Sequence, residues 1–293
     1  MKTLPRVVIA LTSLLAFAAE PRIQSPSGLR LLVASRNDPV LAVILPGYPD
    51  LDRSIEVVFP EHVTIRRHGS SEAEHLYLFG ARNQIREPAW RQTSDSVEYE
   101  RDFGGIHFLA RATLQDDGVL FHYEFLNHSS TAYDLIYSPT DPRLTGIFHD
   151  VRLERTYVHH TSGFEMLASE TPSRLSMPLS EWLPSRYLAS YTWSVPAQRF
   201  ERRSDGITYY NKSRPVDEPM IATLSEDRQW VVASFARTTG NVWSNPELTC
   251  QHVDPETSVA PKQKATVEVK MLVFKGTLDD ALQKVRAQRS ALQ

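Results

Sequence analysis

The sequence predicts one large antiparallel β-sandwich of two layers, with a single helix at its C-terminal end. Three observations lead there. Most of the chain consists of short apolar or alternating runs, each closed by Pro, Gly, Asn, Asp or Ser. Only one segment repeats its apolar residues at helical spacing. The candidate strands also outnumber the roughly ten that a twisted open sheet carries before it splits into packed layers. No internal repeat, low-complexity tract or linker interrupts this pattern, so residues 20–293 read as one domain.

In chain order, residues 29–34, 40–45, 55–59, 63–67 and 75–79 are predicted strands bounded by turn residues. Residues 97–103 alternate. Residues 106–115 and 119–127 flank Asp116-Asp117-Gly118, a strong hairpin signal. Apolar neighbours such as Phe108-Leu109 and Leu120-Phe121 suggest strands covered on both faces. Residues 172–184 read as an irregular loop carrying an exposed Trp182. Strands follow at 186–195, 198–203 and 207–212, the last two joined by Ser204-Asp205-Gly206. Residues 220–224 and 230–236 form a hairpin around Glu226-Asp227-Arg228, and 248–254 and 265–274 close the β portion. The helix is expected over 276–292. Thr277 caps it, Asp280 completes a capping box, and Leu278, Ala281, Leu282, Val285 and Leu292 form the apolar stripe.

At 293 residues, 41% hydrophobic and 23% charged, the chain can bury a core without cross-links. Its single cysteine, Cys250, excludes an intramolecular disulfide and a zinc site built on several thiolates. A formal net charge of −3 without any Lys/Arg-rich run gives no electrostatic support for nucleic-acid binding. Residues 1–19 have the form of a secretory signal peptide. Lys2 and Arg6 precede an apolar run over residues 7–17, and Ala16-Phe17-Ala18 offers a small-x-small cleavage site. That run is short for a membrane span, so a periplasmic or secreted protein without stable membrane insertion is expected.

The chemistry concentrates in two stretches. Residues 148–165 read as one long strand. Alternation then places His149, Val151, Leu153, Arg155, Tyr157 and His159 on one face and Asp150, Arg152, Glu154, Thr156 and His160 on the other. Charged groups in a row with apolar ones imply either a polar cleft or a buried ion-pair network. The second stretch holds Trp243, Asn245, Glu247, Gln251, His252 and Asp254. There Trp243 can stack on a sugar ring while its neighbours bond hydroxyls. Tyr209, Tyr210, Asn211, Lys212 and Arg214 form a further cluster that reads first as a charged strand end and second as a contact for an acidic sugar; Arg186 and Tyr187 with Tyr191 and Trp193 carry the same ambiguity. Adjacent His159 and His160 point to opposite faces, so no metal site and no cofactor is expected.

The run Gly118 to Asn127 (GVLFHYEFLN) with its following polar turn, and the closing NVWSNPELTCQHVDPETSVAPKQKATVEVKMLVFKGTLDDAL, resemble the galactose-mutarotase-like (aldose 1-epimerase-like) superfamily. The resemblance implies an all-β supersandwich and a mono- or oligosaccharide partner, neutral or acidic. Where that superfamily carries a catalytic carboxylate in a Leu-Glu-x-Gln setting, this chain has Leu248, Thr249, Cys250 and Gln251, with Glu247 two residues earlier. Two readings follow. One is a sugar epimerase, isomerase or polysaccharide lyase, with His159, His252, Glu247 and Glu154 as proton-transfer candidates. Arg155, Tyr157, His149, Trp243, Asn245 and Gln251 would then hold the substrate. The other is a non-catalytic carbohydrate-binding module. Both require the two stretches to converge on one hollow.

Overall fold

A computed structural model describes residues 23–34, 38–48, 54–79 and 88–293. The expected signal peptide lies outside these residues. The chain builds a supersandwich whose backbone is a nine-stranded antiparallel sheet. Across that sheet run Gly163–Met166, Thr156–His160, Met220–Leu224, Trp230–Ala236, Lys264–Lys275, Gly118–Asn127, Ile106–Gln115, Ser96–Phe103 and Arg91–Gln92. Three smaller sheets form the second layer. The first contains Ile23–Gln24, Arg30–Val33, Val40–Ile44, Ile55–Val58 and Asp141–Arg143. The second orders Thr257–Val259, Tyr133–Tyr137, Val63–Arg67 and Glu74–Leu76. The third orders Phe200–Arg202, Thr208–Asn211, Ser185–Ser190, Asn241–Ser244 and His252–Val253.

Alternation decides which side of the large sheet each residue serves. Val232, Val269, Met271, Phe121 and Tyr123 pack with the first two small sheets in one core. Val158, Ile221 and Ala236 pack with Tyr187, Ala189, Val242 and Val253 of the third small sheet in a second core. On the opposite face, Met220, Ala222, Val231, Ala233 and Phe235 meet Ala281 and Val285 of the C-terminal helix. Full burial along a strand is therefore found in Met220–Leu224 and Trp230–Ala236, which are covered from both sides. Leu109 and Leu120, expected in that role, are only partly buried.

Local signals predict local structure well. The Asp116–Gly118 turn joins Ile106–Gln115 to Gly118–Asn127 in the register Gly118↔Gln115. The helix spans Leu278–Gln288 with both capping-box bonds between Thr277 and Asp280. Its continuation, Arg289–Ala291, tightens to a 3₁₀ turn. Among the described residues, no helix is long and apolar enough to cross a membrane.

Several expectations are corrected. The stretch 148–165 is not one strand. A 3₁₀ turn over Gly146–Phe148 leads into irregular chain, and strands form only at Thr156–His160 and Gly163–Met166. Asp150 is the cause. Its carboxylate accepts the backbone N–H groups of Glu154 (3.0 Å) and Arg155 (2.7 Å) and the Thr156 hydroxyl (2.9 Å). A side-chain acceptor of this kind competes with ladder bonding and holds a turn, with Leu153 at φ 51° inside it. Trp182 is fully buried, on a short helix over Leu179–Trp182, and its indole N–H donates to the Val151 carbonyl at 2.9 Å. The expected strand over 248–254 reduces to His252–Val253, because Asn245 to Thr249 form a turn. One pairing is parallel, Ser185–Ser190 with Thr208–Asn211, so the chain between them makes an excursion that includes the edge strand Phe200–Arg202.

Gly118 fixes the central hairpin. It sits at φ 148°, and a Cβ there would lie 1.9 Å from the Met271 carbonyl oxygen, a backbone atom that cannot move aside. Gly118→Ala is expected to cost about 3 kcal/mol, read from urea denaturation midpoints. An unchanged midpoint would show that the hairpin relaxes freely.

Candidate functional site at the junction of three sheets

The third small sheet has two chemically distinct faces. Register pairs Arg186 with Tyr209, Leu188 with Trp243, Ser190 with Asn241 and Trp243 with His252. Alternation places these on one face, while Tyr187, Ala189, Val242 and Val253 turn into the core. The polar and aromatic face borders a cavity of about 190 Å³. Arg186, Leu188, Tyr209, Asn241 and Trp243 line it from this sheet. Tyr137 of the second sheet, Trp193, Gly240, Asp254 and Glu256 complete the wall.

Behind the wall lies a buried ion network. His252 is 2% exposed; its ring stacks on Trp243 at 3.8 Å between centroids, with 14° between planes. Its Nε2 faces Asp141 Oδ1 at 3.1 Å, and its Nδ1 faces Asp254 Oδ1 at 3.5 Å. Asp141 comes from the first small sheet and accepts a second bond from Arg143 Nε at 2.8 Å. Burial alone would pull the His252 pKa down. The carboxylates of Asp254 and Asp141 outweigh burial and hold it well above the usual histidine range. Burial likewise pushes Asp141 up, but His252 and Arg143 reverse this and hold it below the ordinary carboxylate value. The pair is therefore imidazolium and carboxylate. The indole face over the imidazolium adds a cation–π contact.

The cavity side is tuned in the other direction. Burial, with the Arg66 guanidinium opposing it and Asp254 adding to it, raises the Glu256 carboxyl. Outside the cavity lining, beside the ion network, burial and then Asp141 raise Glu61. Neighbouring His62 is neutral, its pKa lowered to about 4 by burial and by His75. Trp243 Nε1 donates to Asp254 Oδ2 at 3.4 Å, so Asp254 joins the cavity wall to the ion network. Trp193 lies directly over Gly240, where a Cβ would stand 2.1 Å from its indole. Glycine at 240 is what lets that ring close one side of the cavity.

Asp141, Cys250 and His252 place potential metal-ligating atoms within 4.8 Å of one another. Their chemistry fits the ion pair better than a cation site. His252 Nε2 already meets Asp141, Arg143 holds the same carboxylate, and burial with Asp141 pushes the Cys250 thiol up to about 12.

The ten residues singled out from the sequence separate. Trp243 and His252 meet, ring on ring, behind the cavity wall. Gln251 is buried among the core strands; its amide donates to Thr223 Oγ1 and the Val232 carbonyl and accepts from Ser234. Asn245 holds its own turn through Leu248 N (2.7 Å) and Cys250 Sγ (3.3 Å). Glu247, Glu154 and His149 are exposed. Arg155 donates to the carbonyls of Ile147, Leu224 and His149, and the Tyr157 hydroxyl donates to the Glu154 carbonyl. His159 Nδ1 meets Asp217 Oδ1 at 2.6 Å. Tyr157 packs in the helix-side core and Val158 in the core under the third small sheet. Alternation therefore puts His159 with Tyr157, across the large sheet from His252. The single hollow expected from the two stretches does not form. Its place is taken by Asp141, Arg143, Tyr137 and Glu256, none of which the spacing around residue 150 could indicate.

No protein-family model matches the chain, and no curated protein sequence matches it. Solved structures do. The α-N-acetylgalactosaminidase NagBb from Bifidobacterium bifidum matches with a TM-score of 0.50 at 13% identity, covering 90% of this chain and 37% of that one. The Slr1438 protein from Synechocystis sp. PCC 6803 matches with a TM-score of 0.49 at 12% identity, over 85% of this chain and 92% of that one. A putative aldose 1-epimerase from Escherichia coli K12 matches with a TM-score of 0.45 at 11% identity, over 87% and 98%. At these identities the likeness is one of fold alone.

The ion pair makes a signed prediction. Asp141→Asn leaves the buried His252 cation and the half-buried Arg143 guanidinium short of a counter-charge and is expected to cost about 3–5 kcal/mol in chemical denaturation. The Asp141 contribution is present above the ordinary value of about 3.9 and is lost as pH falls through its depressed folded value. The His252 contribution is present below about 6.5 and is lost as pH rises through its elevated folded value. The stability difference between wild type and His252→Asn should therefore be flat between about pH 4 and 6.5 and shrink in alkali. A difference unchanged in alkali would mean that His252 is neutral in the fold.

Proposed function

We propose that this chain is a carbohydrate-active protein that binds a neutral pyranose in the 190 Å³ cavity and interconverts its anomers. The observation that supports this reading is the wall itself: Trp193, Trp243, Tyr137 and Tyr209 offer aromatic surface, and Asp254, Glu256, Arg186 and Asn241 offer polar groups between them. Rings of this kind match the apolar face of a sugar, and the polar groups match its hydroxyls. Asp254 balances the single guanidinium of Arg186, so the wall carries no surplus positive charge to hold a uronate.

In the reaction, a carboxylate takes the proton of the anomeric hydroxyl as the bond from C1 to the ring oxygen breaks. A protonated group delivers a proton to the ring oxygen, and reclosure on the other face of the aldehyde reverses both transfers. Asp254 is suited to the base, being held by His252 and Trp243. Glu256 is suited to the acid, because its raised pKa keeps its proton to higher pH. An exported location belongs to the same proposal and is supported by the charged and apolar pattern of residues 1–19. A second reading, a binding module without turnover, is favoured by one observation: His252, the charged proton carrier beside the cavity, is buried with both nitrogens facing carboxylates that hold its proton in place.

Nuclear magnetic resonance of α-D-galactose and α-D-glucose separates the two. Accelerated anomer exchange is expected, reduced about 10²–10³-fold by Asp254→Asn, and falling as pH rises through the elevated Glu256 value. Saturable binding without exchange would leave the binding module. Gly240→Ala is expected to displace Trp193 and weaken sugar binding about tenfold with little change in melting temperature. Unaltered affinity would remove Trp193 from the site.

A further inference from the structure

The strands Ser185–Ser190 and Thr208–Asn211 border two concavities. Arg186 and Tyr209 face the cavity already described, while Tyr187 and Tyr210 face the other way. At the outer edge of the same sheet, an open groove of about 640 Å³ runs past Glu170, Arg199, Phe200, Tyr210, Asn211 and Ser213. Phe200 belongs to the edge strand and is 52% exposed. It stands edge-on to Tyr210 at 5.4 Å, and Tyr210 stacks on Tyr187 at 5.8 Å with 10° between planes. The exposed ring is thus held on a rigid aromatic support. Polar groups beside it are also fixed. The Glu170 carboxylate accepts the Ser213 N–H and hydroxyl (2.8 Å for the latter) and pairs with Arg199 at 3.1 Å.

One open ring beside a balanced carboxylate and guanidinium suits a flat, uncharged, hydroxyl-rich ring. It does not suit the cluster of apolar anchors that a protein partner brings. The groove and the cavity are separated by a single sheet, a thickness on the order of 10 Å. The excursion between the two parallel strands supplies a wall to each, Trp193 to the cavity and Phe200 to the groove. We infer that the groove is a second saccharide subsite, and that the ligand is a neutral oligosaccharide passing round the edge strand with one unit in the cavity and a later unit on Phe200. The inference rests on the saccharide reading of the cavity and extends it from a single sugar to a chain.

Calorimetric titration with galactose and with neutral galacto- and gluco-oligosaccharides from di- to hexasaccharide tests it, using wild type, Phe200→Ala and Trp193→Ala. Wild-type affinity is expected to rise once the chain is long enough to reach the groove. Phe200→Ala should remove that gain, about tenfold or about 1.4 kcal/mol, and leave monosaccharide affinity unchanged. Trp193→Ala should weaken every member of the series. Monosaccharide binding with no dependence on chain length overturns this inference alone, as does an equal loss on mono- and oligosaccharides in Phe200→Ala. Failure of every sugar to bind overturns the reading of the cavity and this inference together.

Discussion

The pairing of His252 with Asp141 is the constraint around which the candidate site is arranged. The two residues arrive from different sheets, and each is a principal counter-charge for the other, with Asp254 and Arg143 completing the balance. Together with Arg143 and Asp254 they tie the first small sheet to the third at the place where the second also arrives. The cost of removing these charges from water is offset only while the three sheets stay in register. The network therefore acts as a geometric lock on the cavity wall as much as a source of stability. Trp243 extends it outward, with one face on the imidazolium and its indole N–H toward Asp254.

That arrangement explains why fold and site differed in legibility. The hairpin at Asp116–Gly118, the turn at Ser204–Gly206 and the capped helix after Thr277 are governed by contacts within a few residues, and a sequence displays such contacts directly. The sequence also groups Trp243 and His252 in one unusual stretch, although it does not show that their rings stack. Asp141, Tyr137 and Glu256 were not legible. Each is an ordinary residue in its own segment and becomes part of a site only through the meeting of separate sheets. Residues 148–165 failed for a different reason. Their alternation was genuine, but Asp150 had a better use for the backbone N–H groups than a neighbouring strand did. Of the groups there that looked like a site, Arg155 serves turn carbonyls, His159 lies on the far side of the large sheet and His149 is exposed.

The two faces of the nine-stranded sheet carry different duties. The helix-side face is closed by Ala281 and Val285 and braced by Glu218, which pairs with Arg286 at 2.7 Å and Arg289 at 2.9 Å. The other face supports three short sheets whose outer surfaces are free to vary, because their inner residues already satisfy the core. Polar chemistry can then accumulate on Arg186, Tyr209, Asn241 and Trp243 without loss of packing, since Tyr187, Ala189 and Val242 retain the apolar positions between them.

The parallel pairing of Ser185–Ser190 with Thr208–Asn211 has a consequence for how such a protein changes over time. Hairpins restrict their connections to a few residues, whereas a parallel return demands a long detour, and a detour tolerates insertion and substitution. Here that detour holds Trp193 near its start and Phe200 near its middle, each bordering a different concavity. A lineage could therefore reshape either concavity by rewriting this one detour, leaving the scaffold and its buried charges untouched.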